Sequence, residues 1–185
     1  MTKLRRDREE IVRKANELAA EYIERYAGCG QCVFLAVLDA LRWGGLEIIP
    51  EDMEGRFFSG VCVTTAGIAE SGEGTCGAIN SGVLIMGLAL GPSKESPDIV
   101  ALREACATIR DTLLRRCLQE YGSVLCKDVQ RRFFGKAWDL TRDDMFEEFR
   151  SVTEGCIIRQ AAQWTVESML DEFEKGNLKL PNEDL

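Results

Sequence analysis

The stretch CGAINSGVLIMGLAL, from Cys76 to Leu90, decides the fold of this 185-residue chain. Its residues are apolar on every side of a helix, and several of them are glycine, alanine or serine. A helix that is apolar all round is buried, and small residues let its neighbours approach closely. We therefore expect a buried central helix over residues 76–90, with the other helices packed around it.

The remaining hydrophobic residues recur mostly at intervals of three and four, which is the helical period. This pattern predicts helices over 6–26, 30–41, 97–121, 127–134, 142–152 and 156–174. The least regular segment, 48–74, is expected to hold a short strand or a loop. The sequence thus predicts an all-α fold, a single-domain helical bundle over residues 1–175, followed by a flexible acidic tail over 176–185.

The cysteine and histidine counts restrict the chemistry of the chain, which has eight cysteines and no histidine. Without histidine there is no Cys–His or Ser–His nucleophile pair, no His-ligated haem and no mixed Cys/His zinc finger. Cysteine-only ligation, thiol/disulfide chemistry, and carboxylate or lysine chemistry remain. A functional site is therefore expected to be built on thiolates.

The terminal sequence and the charge indicate where the chain works. Residues 1–10 contain no apolar core followed by a cleavage site, and no stretch is long and apolar enough to cross a bilayer. We expect a cytoplasmic protein without membrane insertion, in which structural disulfides are rare. A net charge of −8 argues against nucleic acid as a partner, because nucleic-acid binding needs clustered basic residues.

Four of the cysteines share one position type, because each is predicted at the start of a helix: Cys29, Cys76, Cys126 and Cys156. Free backbone N–H groups and the positive end of the helix dipole favour a thiolate there and lower its pKa below the usual ~8.5. Gly30, Gly77 and Gly155 stand beside three of these cysteines. Glycine lets backbone N–H groups approach a sulfur or a bound cofactor without a side chain in the way.

The other four cysteines are interpreted differently. Cys106 and Cys117 fall on the apolar stripe of the helix predicted over 97–121, and we expect both to be buried in the core. Cys62 is either a core residue or a loop ligand. Cys32 forms C-x-x-C with Cys29, but no second C-x-x-C completes a Cys₄ site. A ligand set must therefore be assembled from distant segments.

The four helix-starting cysteines and their neighbours also resemble a known family. Gly28-Cys29-Gly30-Gln31 is similar to its Asn-Cys-Ala-Gln, Cys76 to Gly82 matches its CGAxxG, Gly122 to Cys126 matches its Gly-x-x-x-Cys, and Cys156 corresponds to its last cysteine. The chain thus resembles the C_GCAxxG_C_C family, a group described as redox-active, from about Glu21 to Phe173.

The resemblance implies a small, mainly helical, bacterial or archaeal redox protein of anaerobic metabolism. A similar cysteine domain occurs in split-Soret cytochromes, beside haem and an iron–sulfur centre. This chain has no CxxCH motif, and we therefore expect no haem. It departs from the family in two places: Gly60 to Gly67 replaces a glycine-rich run, and Cys32 occupies a position that is usually not cysteine.

Three hypotheses follow for the site. In the leading one, Cys29, Cys76, Cys126 and Cys156 converge to hold a [2Fe–2S] or [4Fe–4S] cluster that transfers electrons to a redox protein partner. In the second, the chain is a dithiol/disulfide oxidoreductase with Cys29 as a catalytic residue and Cys32 or Cys76 as the other. The third is a structural zinc site with cysteine ligands only. A homodimer is among the oligomeric states that the sequence allows.

Overall fold

The computed structural model describes residues 3–152 and 157–181. In chain order the helices are α1 (Arg8–Arg25), α2 (Cys29–Trp43), α3 (Glu51–Cys62), α4 (Gly77–Leu90), α5 (Ile99–Ile109), α6 (Arg115–Tyr121), α7 (Cys126–Phe134), α8 (Asp143–Val152) and α9 (Ile158–Glu174). A π-helical turn, Arg110–Leu114, joins α5 to α6. The described residues contain no β-strand, only one isolated bridge. The predicted all-α single domain is confirmed.

Helix α4 forms the centre of the bundle, as its sequence predicts. It packs against α2, α5 and α9, while α1 covers α2 and α9 from the other side. A Cβ added at Gly82 would come within 2.4 Å of Thr165 Oγ1 and 2.6 Å of Leu113 Cδ2. Only glycine therefore permits this approach of α9 to the central helix.

The long helix from α5 to α6 buries the predicted apolar stripe from Ile109 onwards, but not its first part, which includes Cys106. Its buried side chains stand four residues apart: Ala105, Ile109, Leu113, Cys117 and Tyr121. A π-helical turn holds more residues per turn than an α-helix, which suits this wider spacing. Cys106 lies beside the stripe and is exposed. The prediction that Cys106 is buried is therefore wrong, whereas Cys117 is fully buried as predicted.

The segment predicted as a strand or a loop is helical in its first half. Helix α3 begins after Pro50 and carries acidic residues in its first turn, where the helix dipole favours them. The chain then turns in the left-handed sense: every residue from Ala66 to Glu70 has a positive φ, between 50° and 76°. Four of these five residues are not glycine, so this backbone is strained and must be held by its surroundings.

The described part of the predicted flexible tail packs against the bundle. Leu178 and Leu180 are buried, and the Lys179 N–H donates to the Ala89 carbonyl at 2.8 Å. Residues 177–180 thereby cover the end of α4. No helix in the described ranges is long and apolar enough to cross a membrane.

Candidate redox site

Three of the four helix-starting cysteines stand where the sequence predicts them. Cys29 is the first residue of α2, Cys76 is the N-cap of α4, and Cys126 is the first residue of α7. Cys156 and Gly155 lie outside the described residues. The backbone N–H groups of three helix N-termini are thus close to three thiols.

A short backbone pairing brings Cys76 and Cys126 together although they are far apart in sequence. The Cys76 N–H donates to the Val124 carbonyl at 2.8 Å, and the Cys126 N–H donates to the Gly74 carbonyl at 3.0 Å. These bonds flank the isolated antiparallel bridge between Thr75 and Leu125. The start of α7 is therefore fixed beside the start of α4.

The start of α2 is fixed to α4 by a separate set of contacts. The buried Ser81 hydroxyl donates to the Gly30 carbonyl at 2.8 Å. The Gln31 side chain closes the first turn of α2, because its Oε1 accepts from the Gly28 N–H at 3.0 Å. Its Nε2 donates to Cys62 Sγ at 3.0 Å. Cys62 thus accepts a hydrogen bond that supports the start of α2, and it is not one of the thiols of the site.

Cys29 and Cys76 are in hydrogen-bond contact through their sulfurs. This bond from Cys76 is the largest influence on Cys29 and lowers the pKa of its thiol to about 6, although burial acts in the opposite direction. Backbone N–H groups of Ala66 and Ala78 and the Thr65 hydroxyl lower it further. The surroundings of Cys29 therefore favour its thiolate form.

The left-handed segment forms one wall of this thiolate site. Ala66 directs its N–H at Cys29, and Gly67 packs on Cys126, since a Cβ on Gly67 would lie 2.8 Å from Cys126 Cβ. The buried Thr65 hydroxyl has no hydrogen-bond partner among the described residues and lies close enough to Cys29 to lower the pKa of its thiol. The strained backbone at 66–70 thus serves to place donors around sulfur.

The surroundings of Cys126 favour a protonated thiol, in contrast to those of Cys29. Burial, together with the nearby charge of Cys29, raises the pKa of Cys126 to about 12. The Gln130 amide donates to Cys126 Sγ at 3.3 Å and accepts from the Trp138 N–H at 2.9 Å. Gln130 is itself 2% exposed, so it holds Cys126 in a fixed position.

Cys32 does not belong to the site, although it lies one turn after Cys29. Its sulfur lies 3.3 Å from the Tyr22 carbonyl oxygen and 3.6 Å from that of Tyr26, both on the side of α1. Burial raises the pKa of Cys32 to about 12, with a further contribution from the charge of Cys29. The Cys32 thiol is therefore directed at α1, in surroundings that favour its protonated form.

The three thiols line one cavity of about 270 Å³. Its walls are mostly apolar and include three aromatic rings, those of Tyr26, Phe146 and Phe149. The two phenylalanines lie on α8 and belong to a small cluster with Trp138 and Leu140. The cavity thus joins the start of three helices to an aromatic wall.

The glycines that were predicted to bind a cofactor have packing roles in the described structure. A Cβ on Gly30 would lie 2.8 Å from Thr64 Oγ1, and one on Gly77 would lie 2.8 Å from Cys29 Sγ. Gly77 therefore makes room for the thiolate, and Gly30 lets α2 start close to the end of α3.

The thiols at the cavity are suitable metal ligands, but their arrangement is not that of a metal site. Three thiols are ordinary ligands of iron–sulfur clusters and of zinc. Within residues 3–152 and 157–181, however, no three cysteine, aspartate or glutamate side chains are placed so that they could hold a metal ion. Ligation by the described cysteines would therefore require their side chains to move.

Sequence reasoning does not identify three of the residues that form the site: Thr65, Ala66 and Gln130. Thr65 ends a β-branched run that predicts a strand or a loop, and Ala66 follows it. Nothing in this run indicates a left-handed turn. Gln130 stands four residues after Cys126, on the same face of a helix. That spacing is the one signal that could have pointed to it.

Comparison with known proteins gives one match. A family model with the description "Putative redox-active protein (C_GCAxxG_C_C)" matches residues 26–168. The matched range contains α2, α4 and α7, whose starts carry the three described thiols. No curated protein and no solved structure matches the chain.

Proposed function

The chain belongs to the C_GCAxxG_C_C family, and we propose that its redox chemistry is the interconversion of Cys29 and Cys76 between two thiols and a disulfide. The contact between the two sulfurs carries this proposal. Disulfide formation requires near contact of the two cysteines. The sulfur of Cys32, the other candidate partner, is directed instead at the carbonyl groups of Tyr22 and Tyr26.

The two residues have different roles. Cys29 is the nucleophile, because its thiol has the lowered pKa and the thiolate is the reactive form. Cys76 is the resolving residue and holds its proton in the bond to Cys29. Oxidation forms the Cys29–Cys76 S–S bond, breaks the S–H bond of Cys76, and releases two electrons and that proton to an acceptor. Reduction reverses these changes.

Replacement of the resolving residue tests this assignment. With a small aromatic disulfide as the probe, the wild type should release both halves of the probe and form its internal disulfide. Cys76→Ser should stop after the first step, with one half of the probe bound to Cys29. Serine is a favoured N-cap residue, so α4 should keep its start. Mass spectrometry of the reacted protein reads the outcome.

Two further variants control the experiment. Cys32→Ala should behave as the wild type, because Cys32 lies outside the cavity. Cys106→Ser, an exposed position, should also change nothing. A mixed disulfide that resolves normally in Cys76→Ser but persists in Cys32→Ala would overturn the assignment in favour of Cys32.

An iron–sulfur centre for electron transfer is the second candidate, and the third thiol favours it. Cys126 is buried at the same cavity, and a dithiol pair does not need it. Cys29, Cys76 and Cys126 would supply thiolate ligands together with Cys156. The group would provide one-electron transfer to a redox protein partner.

Metal analysis separates the two candidates. Protein purified without oxygen should contain no stoichiometric iron and inorganic sulfide if the dithiol proposal is right. If both are present, and if Cys126→Ser loses them while Cys106→Ser keeps them, the cluster takes precedence. Zinc in place of iron, with the same dependence on Cys126, would indicate the structural site.

A further inference from the structure

The walls of the cavity indicate what reacts with the thiol pair, and this inference rests on the dithiol function proposed above. The rings of Phe146 and Phe149 face the cavity from α8, and Tyr26 stands just after α1. Phe149 is fixed edge-on by Phe134, with ring centroids 5.9 Å apart. Aromatic walls of this kind favour a flat, apolar ligand, because rings prefer offset or edge contacts with other rings.

The size of the cavity limits the ligand. A cavity of about 150 Å³ holds benzene, and drug-sized ligands occupy about 300 Å³ or more. The present cavity of about 270 Å³ therefore fits one substituted ring or two fused rings.

The charges at the cavity argue against an anionic ligand. Of the residues that line it, Glu24 and Arg150 carry opposite charges, and both are exposed at its rim. Arg150 is paired with Glu147, at 3.7 Å from Nη1 to Oε1. The interior presents apolar side chains, thiols and the Gln130 amide. Among the described residues the one charge favoured inside is the Cys29 thiolate, so an anion would be repelled and would lose its hydration without compensation.

The Gln130 amide offers a donor to a carbonyl oxygen. A side-chain amide has two N–H groups, and Gln130 directs its Nε2 at the sulfur of Cys126. A sulfur is a weak acceptor, so a carbonyl oxygen that enters the cavity competes well for this donor. The ligand is thus flat, not anionic, and carries a carbonyl oxygen.

We propose that the cavity binds a small uncharged quinone and that this quinone is the oxidant of the Cys29–Cys76 pair. The S–S bond forms, the S–H bond of Cys76 breaks, and two electrons pass to the quinone. Two O–H bonds form on its carbonyl oxygens, with one proton from Cys76 and one from solvent. The products are the disulfide and a hydroquinone.

Tetramethyl-1,4-benzoquinone is a suitable probe, because its four methyl groups block the irreversible addition of thiols to the ring. Anaerobic, fully reduced protein is mixed with increasing concentrations of the probe, and hydroquinone formation is followed by ultraviolet absorbance. The rate should saturate with quinone concentration, as a bound complex requires. Mass spectrometry should find the Cys29–Cys76 disulfide in the product.

Two variants place the binding in the cavity. Ala27 and Ser151 line it and are exposed at its rim, so Ala27→Trp and Ser151→Trp should obstruct it without disturbing the core. Each should raise the KM for the quinone by about tenfold or more, since small changes in an apolar pocket have effects of this size. Val100→Trp, at a position 60% exposed on α5, is the matched control and should leave KM unchanged.

Three results would overturn the quinone proposal. The first is a rate that stays linear in quinone concentration, and the second is a KM that neither cavity variant changes. The third is no reaction with the quinone although a small aromatic disulfide still oxidises the pair, in which case the dithiol function stands without it. If neither oxidant produces a Cys29–Cys76 disulfide, the dithiol function itself fails.

Discussion

The sulfur of Cys29 lies directly against the α-carbon of Gly77. A Cβ at position 77 would come within 2.8 Å of Cys29 Sγ and within 2.8 Å of the Thr64 carbonyl oxygen. Real Cβ atoms do not approach backbone this closely, so either the thiolate or the backbone of 64–65 would have to move. The contact between Cys29 and Cys76 therefore depends on glycine at position 77.

Gly77→Ala should separate Cys29 from Cys76. Without the hydrogen bond from Cys76, the pKa of Cys29 should rise towards its ordinary value. The rate of Cys29 alkylation by iodoacetamide at pH 7 should then fall by about tenfold or more. Peptide mapping after brief alkylation measures the rate at this one cysteine.

Gly87→Ala is the matched control, because Gly87 lies on the same helix and a Cβ there meets nothing within 4 Å. It should leave Cys29 reactivity unchanged and stabilise the fold by about 0.5–1 kcal/mol, as glycine to alanine does inside helices. Equal reactivity of Cys29 in both variants would contradict the role of Gly77.

The reactivity of Cys29 should follow pH with a midpoint near 6, the lowered pKa of its thiol. An ordinary thiol would give a midpoint near ~8.5. Because the folded state binds this proton more weakly than the unfolded state, the stabilisation by Cys29 is complete above the unfolded pKa and is lost as pH falls through 6. Alkylation rates from pH 5 to pH 9 test this expectation, and a midpoint above 8 would contradict it.

The hydroxyl of Thr65 should tune Cys29, because it is buried without a hydrogen-bond partner among the described residues and lowers the pKa of the Cys29 thiol. Thr65→Val removes the donor with little change of shape and should shift the alkylation midpoint upwards. Thr65→Ser keeps a hydroxyl and should restore a midpoint close to that of the wild type. If valine and serine give the same pH profile, the hydroxyl has no electrostatic role.

The left-handed segment should be sensitive to a side chain at Gly67. Gly67→Ala places a Cβ at φ 76° and within 2.8 Å of Cys126 Cβ, and it should cost about 2 kcal/mol or more of unfolding free energy. Gly72→Ala has a similar φ of 71°, and a Cβ there meets nothing within 4 Å. It should cost about 1–2 kcal/mol, from the backbone alone. Urea unfolding of both variants separates the cost of the close contacts at position 67, with Cys126 and with the Gly72 backbone, from the cost of the backbone conformation.

The sequence predicts the starts of the helices well, because these depend on local features. Cys29, Cys76 and Cys126 each follow a glycine or a turn, and the described helices begin at or directly after them. The all-round apolar character of 76–90 likewise predicts the central helix. These features are properties of short segments, and tertiary packing does not alter them.

The parts that the sequence does not predict depend on contacts between distant segments. The bonds from Cys76 to Val124 and from Cys126 to Gly74 cannot be inferred from either segment alone. Ala66, Ile68 and Glu70 favour right-handed backbone, so their positive φ values follow from packing and not from residue type. The sequence places Cys106 in the core because it lies on an apolar stripe, but whether a stripe is covered depends on packing: Leu102, on the same stripe, is 44% exposed.

The measurement that tests the central claim most directly is disulfide mapping of the wild type after mild oxidation under anaerobic conditions. Reduced protein is treated with a limiting amount of oxidant, alkylated, digested without reduction and analysed by mass spectrometry. The account predicts one disulfide, between Cys29 and Cys76, with Cys32 and Cys126 recovered as alkylated thiols. A disulfide from Cys29 to Cys32 or Cys126, or the absence of any disulfide at Cys29, would contradict it.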